Sequence, residues 1–180
     1  MATIALKDYR RTDLRKQTLE NPVWITSAEV GIEADDKGAL LFSFPKNPVP
    51  DNMNPYSTYA PAGDLGLCGK NYMIEDAVVE IVEAFAGGTV TLDFGVGTIA
   101  TDAAQDGANI TYTANDGIAA DTVITEGTIG MYKPAAALRT LIANADTTVP
   151  CVFASLASSA AITAGKARLH LKISRIGSVK

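Results

Sequence analysis

The 180-residue chain has little of what enzymes use: one histidine, one tryptophan and two cysteines. It has no GxSxG elbow, HExxH helix, CxxC pair or Walker loop. His170 lies between Leu169 and Leu171 with no second ligand near it in sequence, so neither a metal site nor a triad can be built on it. Cys68 and Cys151 fit no zinc or redox spacing. A disulfide between them stays open beside the reading favoured here, two free thiols in a reducing compartment. No apolar run approaches a membrane span, and the first sixteen residues, MATIALKDYRRTDLRK, lack the apolar core of a signal peptide. These absences lead to an expectation of no catalytic, cofactor-binding or metal-binding residues, and of a soluble product made in the cytoplasm.

Charge is also scarce. Asp, Glu, Lys and Arg make up 19% of the chain against 47% hydrophobic residues, many of them Ala, and mean hydropathy is +0.13. Either a small-residue core or burial at a subunit interface accounts for that deficit. The net charge of −5 argues against nucleic-acid binding. Its distribution is uneven: residues 1–20 carry a net +2, the stretch after Asp146 a net +5, and the body between them −12.

What is present is β patterning. In residues 73–97, MIEDAVVEIVEAFAGGTVTLDFGVG, Val90, Leu92, Phe94 and Val96 alternate with Thr91, Asp93 and Gly95, the period of a half-buried strand. The β-branched run 78–82 precedes it, and Ala86-Gly87-Gly88 supplies positive-φ freedom, so an antiparallel hairpin is expected. A second hairpin is expected from residues 23–33 through the Asp35-Asp36-Lys37-Gly38 turn to residues 39–44. That turn lacks the alternating oxygen ligands of a calcium loop. Short strands at 109–113 and 121–125, separated by Asp106-Gly107 and Asn115-Asp116-Gly117, continue the pattern. Residues 149–156 are a buried strand candidate. In the closing KARLHLKISRI, residues 166–176, Ala167, Leu169, Leu171 and Ile173 point inward. Lys166, Arg168, His170, Lys172 and Ser174 point outward, either as a strip for an acidic partner or as a solvated row protecting an edge strand. One helix is expected from Pro134 to about Asp146, with Leu138, Leu141, Ile142 and Ala145 as its stripe. The expected fold is mainly β: an antiparallel β-sandwich or jelly roll over residues 21–180, with one short helix and an extended N-terminal arm over residues 1–20.

Two segments are candidates for contact. The arm carries Tyr9, Arg10, Arg11, Leu14 and Arg15 without helix or strand period, as in segments that gain order on a partner. The second is the loop at 45–72, where prolines at 45, 48, 50, 55 and 61 deny regular structure. There Tyr56 and Tyr59 offer rigid apolar area with a polar tip. A carboxylate pair such as Glu80 and Asp93, on opposing strands of the expected hairpin, would in principle suit glycoside hydrolysis. Carboxylates on the polar face of a sheet are more simply read as solvated.

Glu83, Ala84, Phe85, Gly87, Gly88, Thr89, Thr91, Leu92 and Gly95, with the closing AGKARLHLKISRI, resemble the β-rich capsid decoration (cement) and head-fibre proteins of tailed bacteriophages. The likeness covers about the last hundred residues. It implies a jelly-roll or sandwich protomer, often trimeric, on the virion surface after assembly in the host cytoplasm. There it would bridge neighbouring major capsid proteins and stabilise the shell. Two other readings fit the β pattern: a carbohydrate-binding β-sandwich using Tyr56 and Tyr59 as a stacking platform, and a phage tail or tube subunit.

Overall fold

A computed structural model describes residues 22–31, 39–44, 71–104, 106–120, 124–134, 138, 140–143 and 145–176. Among these residues ten strands run in order: β1 (Val23–Thr26), β2 (Val30–Gly31), β3 (Ala39–Ser43), β4 (Asn71–Ala86), β5 (Val90–Ala100), β6 (Thr111–Ala119), β7 (Gly130–Tyr132), β8 (Thr140–Ile142), β9 (Thr148–Ser158) and β10 (Ala164–Ile176). Among the described residues a 3-10 turn, Gly107–Asn109, precedes β6, and no α-helix occurs.

The strands form two antiparallel sheets. The first has the order β1-β10-β4-β7, with β2 also on β10 and β8 also on β4; the second has the order β3-β9-β5-β6. Each step along the chain from β2 to β5, and again from β6 to β10 with β7 and β8 taken together, crosses from one sheet to the other. Among the described strands, β5 and β6 are the consecutive pair that bond each other directly. Outward from that pair the partners nest: β4 with β7 and β8, β3 with β9, and β1 and β2 with β10. A long hairpin rolled up on itself has this pairing, which defines the jelly roll.

The expected 73–97 hairpin is therefore corrected. β4 and β5 lie in opposite sheets, where β4 pairs with β10 over Asn71 to Ala86 and β5 pairs with β9 over Val90 to Ala100. The inward residues behave as the alternation requires. Val79, Ile81, Leu92 and Phe94 are fully buried in one core, with Val90 and Val96 packed against it. Period-two alternation names the buried face of each strand but not the sheet it joins, and a glycine pair serves a sheet-to-sheet step as well as a hairpin turn. Gly87 and Gly88 take φ of 114° and 126°. The matching step from β9 to β10 packs directly on theirs: the Ser159 amide donates to the Thr89 carbonyl at 3.0 Å, the Thr163 amide to the Ala86 carbonyl at 2.9 Å, and the Thr89 amide to Ser159 Oγ at 2.9 Å.

The hairpin expected between residues 23–33 and 39–44 separates in the same way, with β1 and β2 in the first sheet and β3 in the second. Its turn, residues 35–38, lies outside the described residues. The helix expected after Pro134 is also corrected, because Thr140–Ile142 is a strand on β4, registering Leu141 with Met73 and Ile142 with Tyr72. Leu141 is exposed while Ile142 is buried, so the two point to opposite faces instead of sharing a helical stripe. Helix propensity there yields to the unpaired edge of β4. Residues 115–117, expected as a turn, sit inside β6. The register jumps there from Val96↔Ala114 to Phe94↔Ala119, which marks extra residues looped out of the ladder. Of the expected strand at 121–125, only Ile124 and Thr125 are described, and neither is in a strand. The strand β7 was not anticipated; three residues are too few for a period.

The second sheet buries residues on its outer side too. Leu40, Ile99, Ile110, Cys151 and Phe153 form a smaller cluster, with the Tyr112 ring 4.7 Å from that of Phe153 in an edge-on arrangement. Ala103 packs against it, and the turn that leads into Ile110 is held by the Asp106 carboxylate, which accepts from the Asn109 amide at 3.0 Å. Cys151 is a free thiol, and burial pushes it up from 9.0 to about 12.

Two predictions follow from these positions. A methyl group at Gly165, where φ is +134°, would overlap the Phe85 ring, whereas at Gly127 it would meet nothing within 4 Å. Gly165→Ala is expected to cost at least about 2 kcal/mol in urea unfolding and Gly127→Ala less than about 0.5. In a Cys68→Ser background, Cys151 should resist thiol reagents until denaturant is added. Its folded-state thiol holds its proton beyond 9.0, so its contribution to stability is complete below pH 9 and lost as pH rises towards 12. Unfolding free energy measured across that interval should decline, and less so for Cys151→Ala.

Candidate functional site

The outer face of the first sheet carries the densest set of polar contacts among the described residues. On β10 the alternation places Ala167, Leu169, Leu171 and Ile173 in the core at 0% exposure, and Lys166, Arg168, His170 and Lys172 on the outer side. β10 lies between β1 and β4, so the edge-protection reading of this row is corrected. An acidic row on β4 faces it. The ladder pairs Lys166 with Glu83, Arg168 with Glu80 and Lys172 with Asp76.

The side chains use that register. Lys166 Nζ stands 3.7 Å from Glu83 Oε2. Arg168 bonds Glu29 and lies 3.8 Å from Glu80. His170 Nε2 is 3.1 Å from Glu80 Oε2, and its Nδ1 is 2.9 Å from Thr26 Oγ1 on β1. At the far side of β4, Lys133 Nζ donates to Asp76 Oδ2 at 2.7 Å. That bond, before all else, holds the Asp76 carboxyl below its usual range. The row is thus neither simply solvated nor an unmet positive strip; its charges are largely answered within the sheet.

The hydroxyl, imidazole and carboxylate of Thr26, His170 and Glu80 stand in the order of an acyl-transfer triad. In the tautomer that carries the proton on Nε2, the carboxylate accepts from Nε2–H and Nδ1 is left to accept the threonine proton. An acyl-transfer site also needs N–H donors converging on the developing oxyanion. Around His170 the backbone of β10 is engaged on both sides, by β1 and by β4. This arrangement satisfies a half-buried imidazole; it does not build an oxyanion hole. Glu80 and Asp93 belong to strands of different sheets, so the carboxylate pair considered from sequence does not face across a hairpin.

Apolar side chains flank the charged centre. Trp24 on β1 is 49% exposed, and on the opposite rim Met131 is 69% exposed and Leu141 44%. Trp24 alternates with buried Ile25 along β1, so its ring points outward. Met131 and Leu141 were missed because β7 and β8 are three residues each. Tyr9, Arg10, Arg11, Leu14, Arg15, Tyr56 and Tyr59, the contact residues expected from sequence, lie outside the described residues, as does Cys68. Among the described residues, no group of three or more His, Cys, Asp or Glu could hold a metal ion, and no helix is long and apolar enough to cross a membrane.

No protein-family model, curated protein or solved structure matches this chain.

Asp76 offers a local test of the charge ladder. Lys133→Met is expected to raise the Asp76 carboxyl towards 3.8, read by NMR titration of its side chain. In the wild type, the stabilisation from this pair is present above pH 3.8 and lost as pH falls through the lowered folded-state value.

Proposed function

We propose that this chain is a structural adhesion protein without catalytic turnover, and specifically a decoration protein of a tailed-phage capsid. In this reading it binds the outer surface of the head and bridges major capsid proteins. The observation that carries the proposal is the jelly-roll order of the two sheets joined to an outer face whose charges are met within the sheet and whose rims expose Trp24, Met131 and Leu141. Such a surface suits contact between proteins better than chemistry on a small molecule. The likeness of residues 83–95 and of the closing strand to decoration proteins supplies the phage context, the virion location and the homo-oligomer, a trimer by that likeness.

The mechanism is mass action. A protein that binds the expanded shell, and binds its earlier form weakly or not at all, stabilises the expanded state by the free energy of the sites it fills. The arm over residues 1–20 supplies the contacts in this proposal, with Arg10, Arg11 and Arg15 matched to carboxylates of the shell.

The test uses expanded shells assembled from a tailed-phage major capsid protein, taken from the same genome as this chain, mixed with the purified full-length protein and imaged by electron microscopy; a genome without such a protein rejects the decoration reading. Regular occupancy of expanded shells is expected, with loss of occupancy on deletion of residues 1–20 while circular dichroism and melting temperature stay unchanged. Unaltered occupancy after the deletion removes the arm from the mechanism. Bare shells with the intact chain reject the decoration reading, and glycan binding lost on replacing Tyr56 and Tyr59 would replace it with the carbohydrate-binding one.

A further inference from the structure

We propose that the outer face of the first sheet is a self-association surface, on which a second copy of this chain docks about a two-fold axis running along the strands between β10 and β4. This rests on the arrangement of the face itself and not on the phage reading.

The operation follows from the register. Turning a copy over about that axis exchanges left and right but leaves the level along the strands unchanged. The cationic row of each β10 then lies across the acidic row of the other β4. Because Arg168 stands level with Glu80 and Lys166 with Glu83, each cation meets a carboxylate of the partner copy at the same level. The rims obey the same operation. Trp24 is level with Lys172, and Lys172 with Asp76. Across the sheet, Leu141 is level with Met73 and Met131 with Glu80. Trp24 of one copy therefore arrives over the gap between Leu141 and Met131 of the other, and the reverse contact forms on the opposite rim. One rotation matches both the charges and the exposed apolar side chains, which is what an isologous interface demands.

The area is adequate. Four strands about 4.8 Å apart and about ten residues of about 3.4 Å each give roughly 650 Å² per copy, close to the roughly 800 Å² per partner of a standard interface. Sheets stacked with strands nearly aligned are a favoured packing. With charges at the centre and apolar contacts at the rims, the association should be reversible and weakened by salt. The contact is two-fold and so differs from the three-fold one that the likeness to decoration proteins implies.

Sedimentation of the purified full-length chain over a concentration series reads the result. Taken by itself, this contact should raise the weight-average mass towards twice that of the species present at the lowest concentration, and high salt should lower it again. Trp24→Glu and Met131→Lys, both at exposed positions, should each weaken association at least about tenfold with the melting temperature unchanged. A double variant, Arg168→Glu with Glu80→Arg, keeps the complementarity when paired with itself and opposes like charges when paired with the wild type. It should self-associate yet fail to mix with wild-type chains, an outcome that a merely structural role for these residues would not give. A chain that stays monomeric throughout overturns the proposal, and if it still occupies shells, the decoration reading stands without it. Association indifferent to Trp24 and Met131, or free mixing of wild type with the double variant, overturns it as well.

Discussion

The fold depends on two short connections that change sheet at one end of the sandwich. Residues 87–89 and 159–163 must pass between the layers side by side, and their hydrogen bonds to each other leave no room for added bulk. Gly87, Gly88 and Gly165 take positive φ there, a region that L side chains rarely occupy. Once the two connections are stacked, β10 is placed beside β4 and β9 beside β5, giving the longest ladders in the molecule. Everything else is hung on those four strands. β1 and β2 join β10, β7 and β8 join β4, β3 joins β9, and β6 joins β5.

Those ladders also decide what the outer face can do. Because β10 and β4 are antiparallel neighbours at the centre of their sheet, a basic row and an acidic row are brought to the spacing of cross-strand pairs. Exposed pairs of this sort contribute little to stability individually. Their value is in order: Arg168, His170 and Glu80 are fixed by several partners at once, so the face presents a defined pattern of charge. Asp76 and Lys133 extend it to the β7 side.

The strands themselves were largely legible in the sequence, and their partners were not. Alternation identified the two faces of β5 and β10 residue by residue, because a side chain's direction in a strand is a local property. Whether β5 turns back on β4 or passes to the opposite layer is decided by β9 and β10, which begin only at Thr148 and Ala164. The single apparent helix failed for a related reason. Leu138, Leu141, Ile142 and Ala145 fit a helical stripe by count, yet the open edge of β4 offered backbone partners to Thr140–Ile142 that a local pattern does not contain. On the candidate face, the cationic row was visible, but its acidic counterpart on β4 became its neighbour only through the topology. The arm and residues 45–70 of the expected loop, which held every contact residue expected from sequence, lie outside the described residues, while Asn71 and Tyr72 at the loop's end belong to β4.

The nested pairing has a consequence for biosynthesis. Thr26 and His170 are in hydrogen-bonding contact yet are separated by 144 positions. A chain emerging from the ribosome therefore presents Ile25 and Val30 long before Leu169 and Leu171 exist to cover them. Long-range pairing of this kind slows folding and leaves apolar strands open to the wrong neighbour. The nascent protein must wait for β10, and a truncated product missing it would strip β1, β2 and one whole flank of β4 of their partners together.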